Sequence, residues 1–206
     1  FAALLVRDLE NDPPKRIMAE KIVTGVTNLN RTIETLLDFA RHEEVHRSEI
    51  NLIEYLDTIL NDFAAELNGD LESGRIIRDY NKEETIFVDI DPQLFRQALI
   101  NLVKNGLEAG RDNGALIIRC RQLTMAKAQS DYGERMELSG LEGLAEIEIE
   151  DNGSGIPEED IGRIFSPFYS TKRNGTGLGL SIAWKIVTAH GGDVRVVSTV
   201  GTGTKF

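Results

Sequence analysis

At 206 residues the chain is long enough to bury a core, and its 34 acidic against 23 basic side chains leave a formal net charge of −11. That balance, with a pI near 4.8, excludes a surface built to bind nucleic acid or an anionic membrane, because either needs a basic face that releases counterions or meets headgroups. The single cysteine, Cys120, makes no internal disulfide, and no stretch approaches the roughly 18 consecutive apolar residues of a membrane span, so the composition is that of a soluble, reduced globular protein.

Ala2 to Leu9 carries an apolar helical pattern with no capping residue before it, which predicts a helix already under way at Phe1. Asn11-Asp12-Pro13-Pro14 is a turn signal, and proline suits the entry of the next helix. Ala19, Ile22, Val26, Leu29, Ile33, Leu36 and Ala40 then follow at alternating steps of three and four, the spacing of an a/d seam, and predict one long helix from Lys15 to Glu44. Two helices joined by so short a turn form an antiparallel hairpin that cannot bury such a seam alone. The expectation is a homodimer through this seam; packing on the chain's own second part is the alternative.

Residues 1–47 hold 7 basic and 8 acidic side chains and only Gly25, whereas residues 48–206 hold 16 and 26 and the other 18 glycines. The shift predicts a domain boundary there. Downstream, Leu52 to Leu67 is helical by pattern and Ile86 to Ile90 reads as a strand. Asp91-Pro92 opens a helix, with Asp91 as N-cap and Pro92 at the first position. Ala115 to Arg121 is a strand, the polar stretch Gln122 to Gly143 is expected as a long hairpin loop or insertion, and Ala145 to Glu150 alternates with period two as a half-buried strand. Ser181 to His190 continues a helix stopped by Gly191-Gly192, and Asp193 to Thr199 is a further strand. The order predicts an α+β fold, a two-layer sandwich with one mixed sheet and helices on one of its faces.

Three clusters bear chemistry. On the helix after Asp91, Asn101, Asn105 and Glu108 are spaced four and three and share a face beside the apolar stripe Phe95, Leu99, Leu102, Gly106 and Ala109. Stacked asparagines compete for backbone hydrogen bonds inside a helix, so this face is either plainly solvated or a set of hard oxygen ligands suited to Mg²⁺. Asp151-Asn-Gly153-Ser-Gly155-Ile156-Pro follows a strand, where a carboxylate can accept from an amino group and glycines allow a flat ligand close. Gly175-Thr-Gly177-Leu178-Gly179-Leu180 precedes a helix whose unpaired N–H groups could face a polyphosphate. The dinucleotide G-x-G-x-x-G, the P-loop, the H-R-D and D-F-G of protein kinases, and any zinc pattern are all missing.

In order, these pieces resemble the sensor histidine kinases of two-component signal transduction, within the GHKL or Bergerat-type ATPase superfamily that includes DNA gyrase and the Hsp90 chaperones. The N box is similar to Asn101-Leu-Val-Lys-Asn105-Gly-Leu-Glu-Ala109, with Gly106 where alanine is common. The two glycine boxes are the clusters at Asp151 and Gly175, the F box resembles Ile164-Phe165-Ser-Pro-Phe168-Tyr-Ser-Thr-Lys172, and Gly201-Thr-Gly-Thr204-Lys-Phe206 is similar to the last box. The long helix resembles the second helix of the family's dimerisation hairpin. The resemblance therefore implies a partial dimerisation and histidine-phosphotransfer hairpin in 1–47, its first helix truncated, and a catalytic ATP-binding domain in 48–206.

It further implies ATP with Mg²⁺ as cofactors. Asn105 would bind the metal, Asn101 would support it, and Asp151 would accept from the adenine amino group. Gly153, Gly155 and Ile156 would lie along the base. Gly175, Gly177, Leu178, Gly179 and Leu180 would close over the phosphates, Phe165, Phe168 and Lys172 would frame a mobile lid, and Thr204 would complete the cofactor set. Asn101 stands where hydrolytic relatives place a glutamate base; an amide takes no proton, so the site suits transfer to a protein nucleophile. The implied activity is transfer of the ATP γ-phosphoryl group to a protein histidine, for relay to a response-regulator receiver domain in the cytoplasm, with no nucleic-acid or membrane contact by these residues. The family's H-E-x-x-N-P-like acceptor box does not occur in these residues: His42 and His46 are expected as solvated residues near the hinge and His190 as a helix C-terminal residue. The final strand is expected to be incomplete at Phe206. The alternatives are a nucleotide-hydrolysing conformational switch and a dimerisation scaffold with an inactive pocket.

Overall fold

The computed structural model describes residues 9, 13–40, 44–66, 75–110, 114–133, 143–172 and 175–206. Apart from Leu9, the short helix expected over residues 2–9 lies outside them, as does His42. The chain divides into two compact units, Phe1–Glu43 and Glu44–Phe206.

The first unit contributes one long helix, α1 (Pro13–Ala40). It starts on the proline pair because the N–H groups proline lacks are unpaired in a first turn anyway. An Arg16–Glu20 ion pair one turn apart supports its outer surface. Of the expected seam, Ala19 is buried while Ile22, Val26, Leu29, Ile33 and Leu36 are all exposed, Leu29 at 62%.

In the second unit the elements are β1 (Ser48–Asn51), α2 (Leu52–Glu66), β2 (Ile76–Arg78), β3 (Phe87–Ile90), α3 (Pro92–Ala109), β4 (Leu116–Leu123), α4 (Met125–Tyr132), β5 (Leu144–Asp151), α5 (Glu158–Ile161), α6 (Gly179–Ala189), β6 (Val197–Thr199) and β7 (Gly203–Lys205). A five-stranded mixed sheet runs β2-β4-β5-β7-β6, with only β2 and β4 parallel. Leu116, Ile118 and Cys120 of β4 and Ile149 of β5 turn inward, onto Leu52, Leu56, Ile59, Leu60 and Phe63 of α2 and Leu99 and Val103 of α3. The helical spacing of α2 and the alternation of β4 thus close one core. Between those inward residues Arg119 points outward and pairs with Glu148, Glu150 and Asp79. The α+β sandwich expected from the sequence is therefore the fold.

Four details differ from the expectation. The strand at residues 87–90 leaves the main sheet and pairs antiparallel with β1, a strand the periodicity did not announce. The short β2 was also missed. The polar stretch after β4 contains a capped helix, α4, whose N-cap Thr124 accepts from the Lys127 N–H; it fully buries Ala128, with Met125 and Tyr132 half-buried beside Leu123 and Leu144, an apolar stripe of only three residues. Of the strand expected over Asp193 to Thr199, only its last three residues pair, with β7. Phe206 extends that edge by exchanging both backbone bonds with Ile149 at 2.9 Å.

Candidate functional site

The site is built on α3, on the end of β5, and on the segment that leads into α6. Asp91 sets the start of α3: its Oδ1 accepts from the N–H groups of Gln93 and Leu94 at 3.0 and 3.1 Å. Its Oδ2 accepts from His46 N at 2.9 Å, and its own N–H donates to His190 Nε2 at 2.9 Å. Nδ1 of His190 lies 2.7 Å from the Ile186 carbonyl, which can only accept, so Nδ1 donates there while Nε2 accepts from Asp91. His190 does end α6, as expected, but it also fastens that end to the start of α3. Burial works against the Asp91 charge, yet three backbone donors outweigh it and hold the carboxyl below its ordinary value.

Asp151 is 5% exposed at the end of β5. Its Oδ1 accepts from Gly153 N at 2.8 Å and Thr204 N at 3.3 Å, so residues of two separate motifs meet at one carboxylate. Burial raises its carboxyl above the usual range against the pull of those two N–H groups. Glycines pack closely around it. A β-carbon at Gly106 would meet Leu116 Cδ1, with Asp151 Cβ at an ordinary contact distance of 3.7 Å. Gly203, at φ 140, would drive a β-carbon into the Asp151 carbonyl.

On the exposed side of α3, Lys172 Nζ donates to Asn105 Oδ1 at 3.0 Å and to Glu108 Oε2 at 2.8 Å. Asn101 faces the first residue of α6: a β-carbon at Gly179 would stand 3.6 Å from its Oδ1. Gly177, at φ 68, lies against the backbone of Phe168 and Tyr169. Phe168 is 64% exposed and holds a positive φ of 66°, a strained value for a bulky residue. Leu178 is fully buried and Leu180 half-buried. Gly175 N donates to the Lys172 carbonyl at 3.2 Å.

Asn105, Lys172, Gly106, Asp151, Gly153 and Thr204 thus form one chain of neighbours, and Asn101 and Gly179 form a second pair on the same helix. Gly155, Ile156 and Phe165 are held instead by the terminal strands: Ile156 N donates to Ser198 Oγ at 2.8 Å, a β-carbon at Gly155 would strike Thr199, and the Phe165 ring meets Phe206 edge-on at 6.4 Å. Sequence reasoning missed three participants. Ser198 ties Ile156 to Thr204 through its hydroxyl, 2.9 Å from Thr204 Oγ1. Glu108 was placed on the correct face without a partner, and the Asp91–His190 bond joins residues 99 apart. No spacing rule reports contacts at such separations. Cys120 has no part in the site, since burial pushes its thiol up to about 12.

Residues 90–206 match the family model of the histidine kinase-, DNA gyrase B- and HSP90-like ATPases. The chain belongs to this family. The sensory histidine kinase/phosphatase NtrB of Salmonella typhimurium is 31% identical over 204 residues, 97% of this chain and 54% of that protein. The signal transduction histidine-protein kinase AtoS of Escherichia coli is 28% identical over 98% of this chain and 30% of its own length. The catalytic domain of histidine kinase ThkA has the same architecture, with a TM-score of 0.60 and 28% identity over 78% of this chain and 92% of that domain. ThkA in complex with response regulator protein TrrA aligns over 99% of this chain with a TM-score of 0.69; at 23% identity that likeness is one of fold. The chain spans only 30 to 54% of the curated relatives NtrB and AtoS. The ATPase domain is thus similar to the ATP-binding catalytic domains of histidine kinases. Among the described residues no helix is long and apolar enough to cross a membrane.

Proposed function

We propose that the ATPase domain binds Mg-ATP across α3 and the end of β5, and that the protein containing it transfers the γ-phosphoryl group to a histidine for relay to a response-regulator aspartate. The observation that carries this is Asp151. Both of its backbone bonds fall on Oδ1, which holds the carboxylate rigid and leaves Oδ2 as the acceptor for the adenine amino group. A guanine would present a carbonyl there and be repelled, so the site discriminates between the two bases.

Asn105 Oδ1 and Glu108 Oε2 already hold a cationic group, the Lys172 ammonium, and such hard oxygens are the donors Mg²⁺ takes. Asn105 would hold the metal, which when bound neutralises phosphate charge. Asn101, opposite Gly179 at the start of α6, would orient the phosphates toward the unpaired N–H groups of that helix. Being an amide, it does not activate water, so the γ-phosphoryl waits for a protein nucleophile. Gly153, Gly155 and Ile156 would lie along the base, Gly175 to Leu180 would close over the phosphates, and Phe165, Phe168 and Lys172 would frame the lid. The exposed apolar seam of α1 supports a homodimer, and the setting would be cytoplasmic.

Calorimetric titration of residues 1–206 with the non-hydrolysable analogue AMPPNP and Mg²⁺ tests the pocket. Binding should be at least about tenfold tighter than for the guanine counterpart, one hydrogen bond's worth. No heat at millimolar analogue, or equal affinity for both bases, overturns the reading. Incubation with γ-labelled ATP should leave no phosphohistidine on these residues, because they contain no acceptor box.

A further inference from the structure

The Lys172 ammonium sits 3.0 Å from Asn105 Oδ1 and 2.8 Å from Glu108 Oε2, two oxygens on successive turns of one face of α3. A divalent cation at Asn105 would stand close to that ammonium, and the two like charges repel. At the backbone that presents Lys172, its N–H donates to Ser170 Oγ at 3.1 Å and its carbonyl accepts from Gly175 N. The side chain therefore spans from that backbone to α3, where its amine bonds Asn105 and Glu108. The ion pair is partly open to water, with side-chain exposures of 38% for Lys172 and 62% for Glu108, so it can break at modest cost.

We propose that Lys172 is a displaceable latch. Its ammonium occupies a cation seat made by Asn105 and Glu108, fastening the end of the F box onto α3, and metal with nucleotide takes the seat by exchange of one cation for the other. Glu108 is then a second determinant of the metal site, holding the lysine in one state and the metal, directly or through water, in the other. The exchange replaces the single positive charge of the ammonium by the two of the divalent ion, the nucleotide phosphates offset the difference, and Lys172 is freed toward those phosphates. This inference rests on the nucleotide-site reading above, and its test is built so that the two can fail separately.

The first arm uses residues 1–206 without nucleotide and follows amide hydrogen exchange over residues 165–172 by mass spectrometry. Lys172→Met and Glu108→Gln should each speed exchange about threefold to fivefold, the range an exposed ion pair supports. The double variant should be no faster than the faster single one. Unchanged rates, or effects that multiply in the double variant, overturn the latch whatever the protein binds. The second arm measures the Mg²⁺ concentration that half-saturates AMPPNP binding. Removing the competing ammonium in Lys172→Met should lower that midpoint about threefold to fivefold, and adding Glu108→Gln to that background should raise it again. An unmoved midpoint with AMPPNP still bound refutes the exchange. Absence of AMPPNP binding refutes the nucleotide reading, while the first arm still decides whether Lys172 fastens the segment. Both side chains are exposed, so the variants should keep the parent's unfolding midpoint in urea.

Discussion

Asp151→Asn separates the recognition role of this residue from its structural one. The amide is nearly isosteric, and its Oδ1 still accepts from Gly153 N and Thr204 N, so the turn that closes β5 persists. At the other position an NH₂ now faces the adenine amino group, donor against donor, in place of a charge-assisted bond. Such a bond contributes about 1.5–3 kcal/mol, which predicts a loss of about 10- to 150-fold in AMPPNP affinity. Stability moves the other way. Burial holds the folded-state carboxyl above its ordinary value of 3.8, so the wild-type contribution is most favourable below pH 3.8 and is lost as pH rises through the raised folded value. A neutral amide avoids that loss. The variant should be at least as stable as the parent to urea at pH 7, with its advantage shrinking as the pH falls toward 4. Calorimetry with Mg-AMPPNP and urea titrations at pH 5 and 7 measure both quantities. A variant that unfolds at pH 7, or binds with parental affinity, would refute the reasoning.

Three further outcomes are expected. Asp91→Ala removes an N-cap and leaves the His46 N–H without its partner, and should cost about 2 kcal/mol by urea denaturation. Because the Asp91 carboxyl lies below 3.8, its contribution is present above that pH and is lost as pH falls through the lower folded value, so the parent should lose more stability than Asp91→Ala on deep acidification. Gly203→Ala combines a left-handed φ with a clash on the Asp151 carbonyl, and should destabilise by about 3 kcal/mol and weaken AMPPNP binding together, since Thr204 shifts with it. Leu29→Lys, on the exposed seam of α1, should give monomers in sedimentation that bind AMPPNP as the parent does; an unchanged mass would place any dimer contact elsewhere.

The regular elements were legible where one physical signal dominates. Asp91-Pro92 announced the start of α3 because capping and a locked φ act within three residues. The alternation from Ala145 to Glu150 announced β5 because one face meets the core while Glu146 and Glu148 face outward to Arg121 and Arg119. Helix α4 was illegible because its apolar stripe is only Met125, Ala128 and Tyr132, and the rest of its support is a cap and the Tyr132 hydroxyl reaching Glu146. Strand β3 was legible as a strand, but its partner was not, since pairing with β1 depends on what else reaches that edge.

The residue types of the site follow the same division. Local spacing alone put Asn101, Asn105 and Glu108 on one face and an acid at the end of a strand, because helix and strand periods are properties of a few neighbouring residues. It took the packed fold to bring Lys172 onto Asn105, Thr204 onto Asp151 and His190 onto Asp91, because these contacts cross 53 to 99 residues of chain and form only once the core has closed.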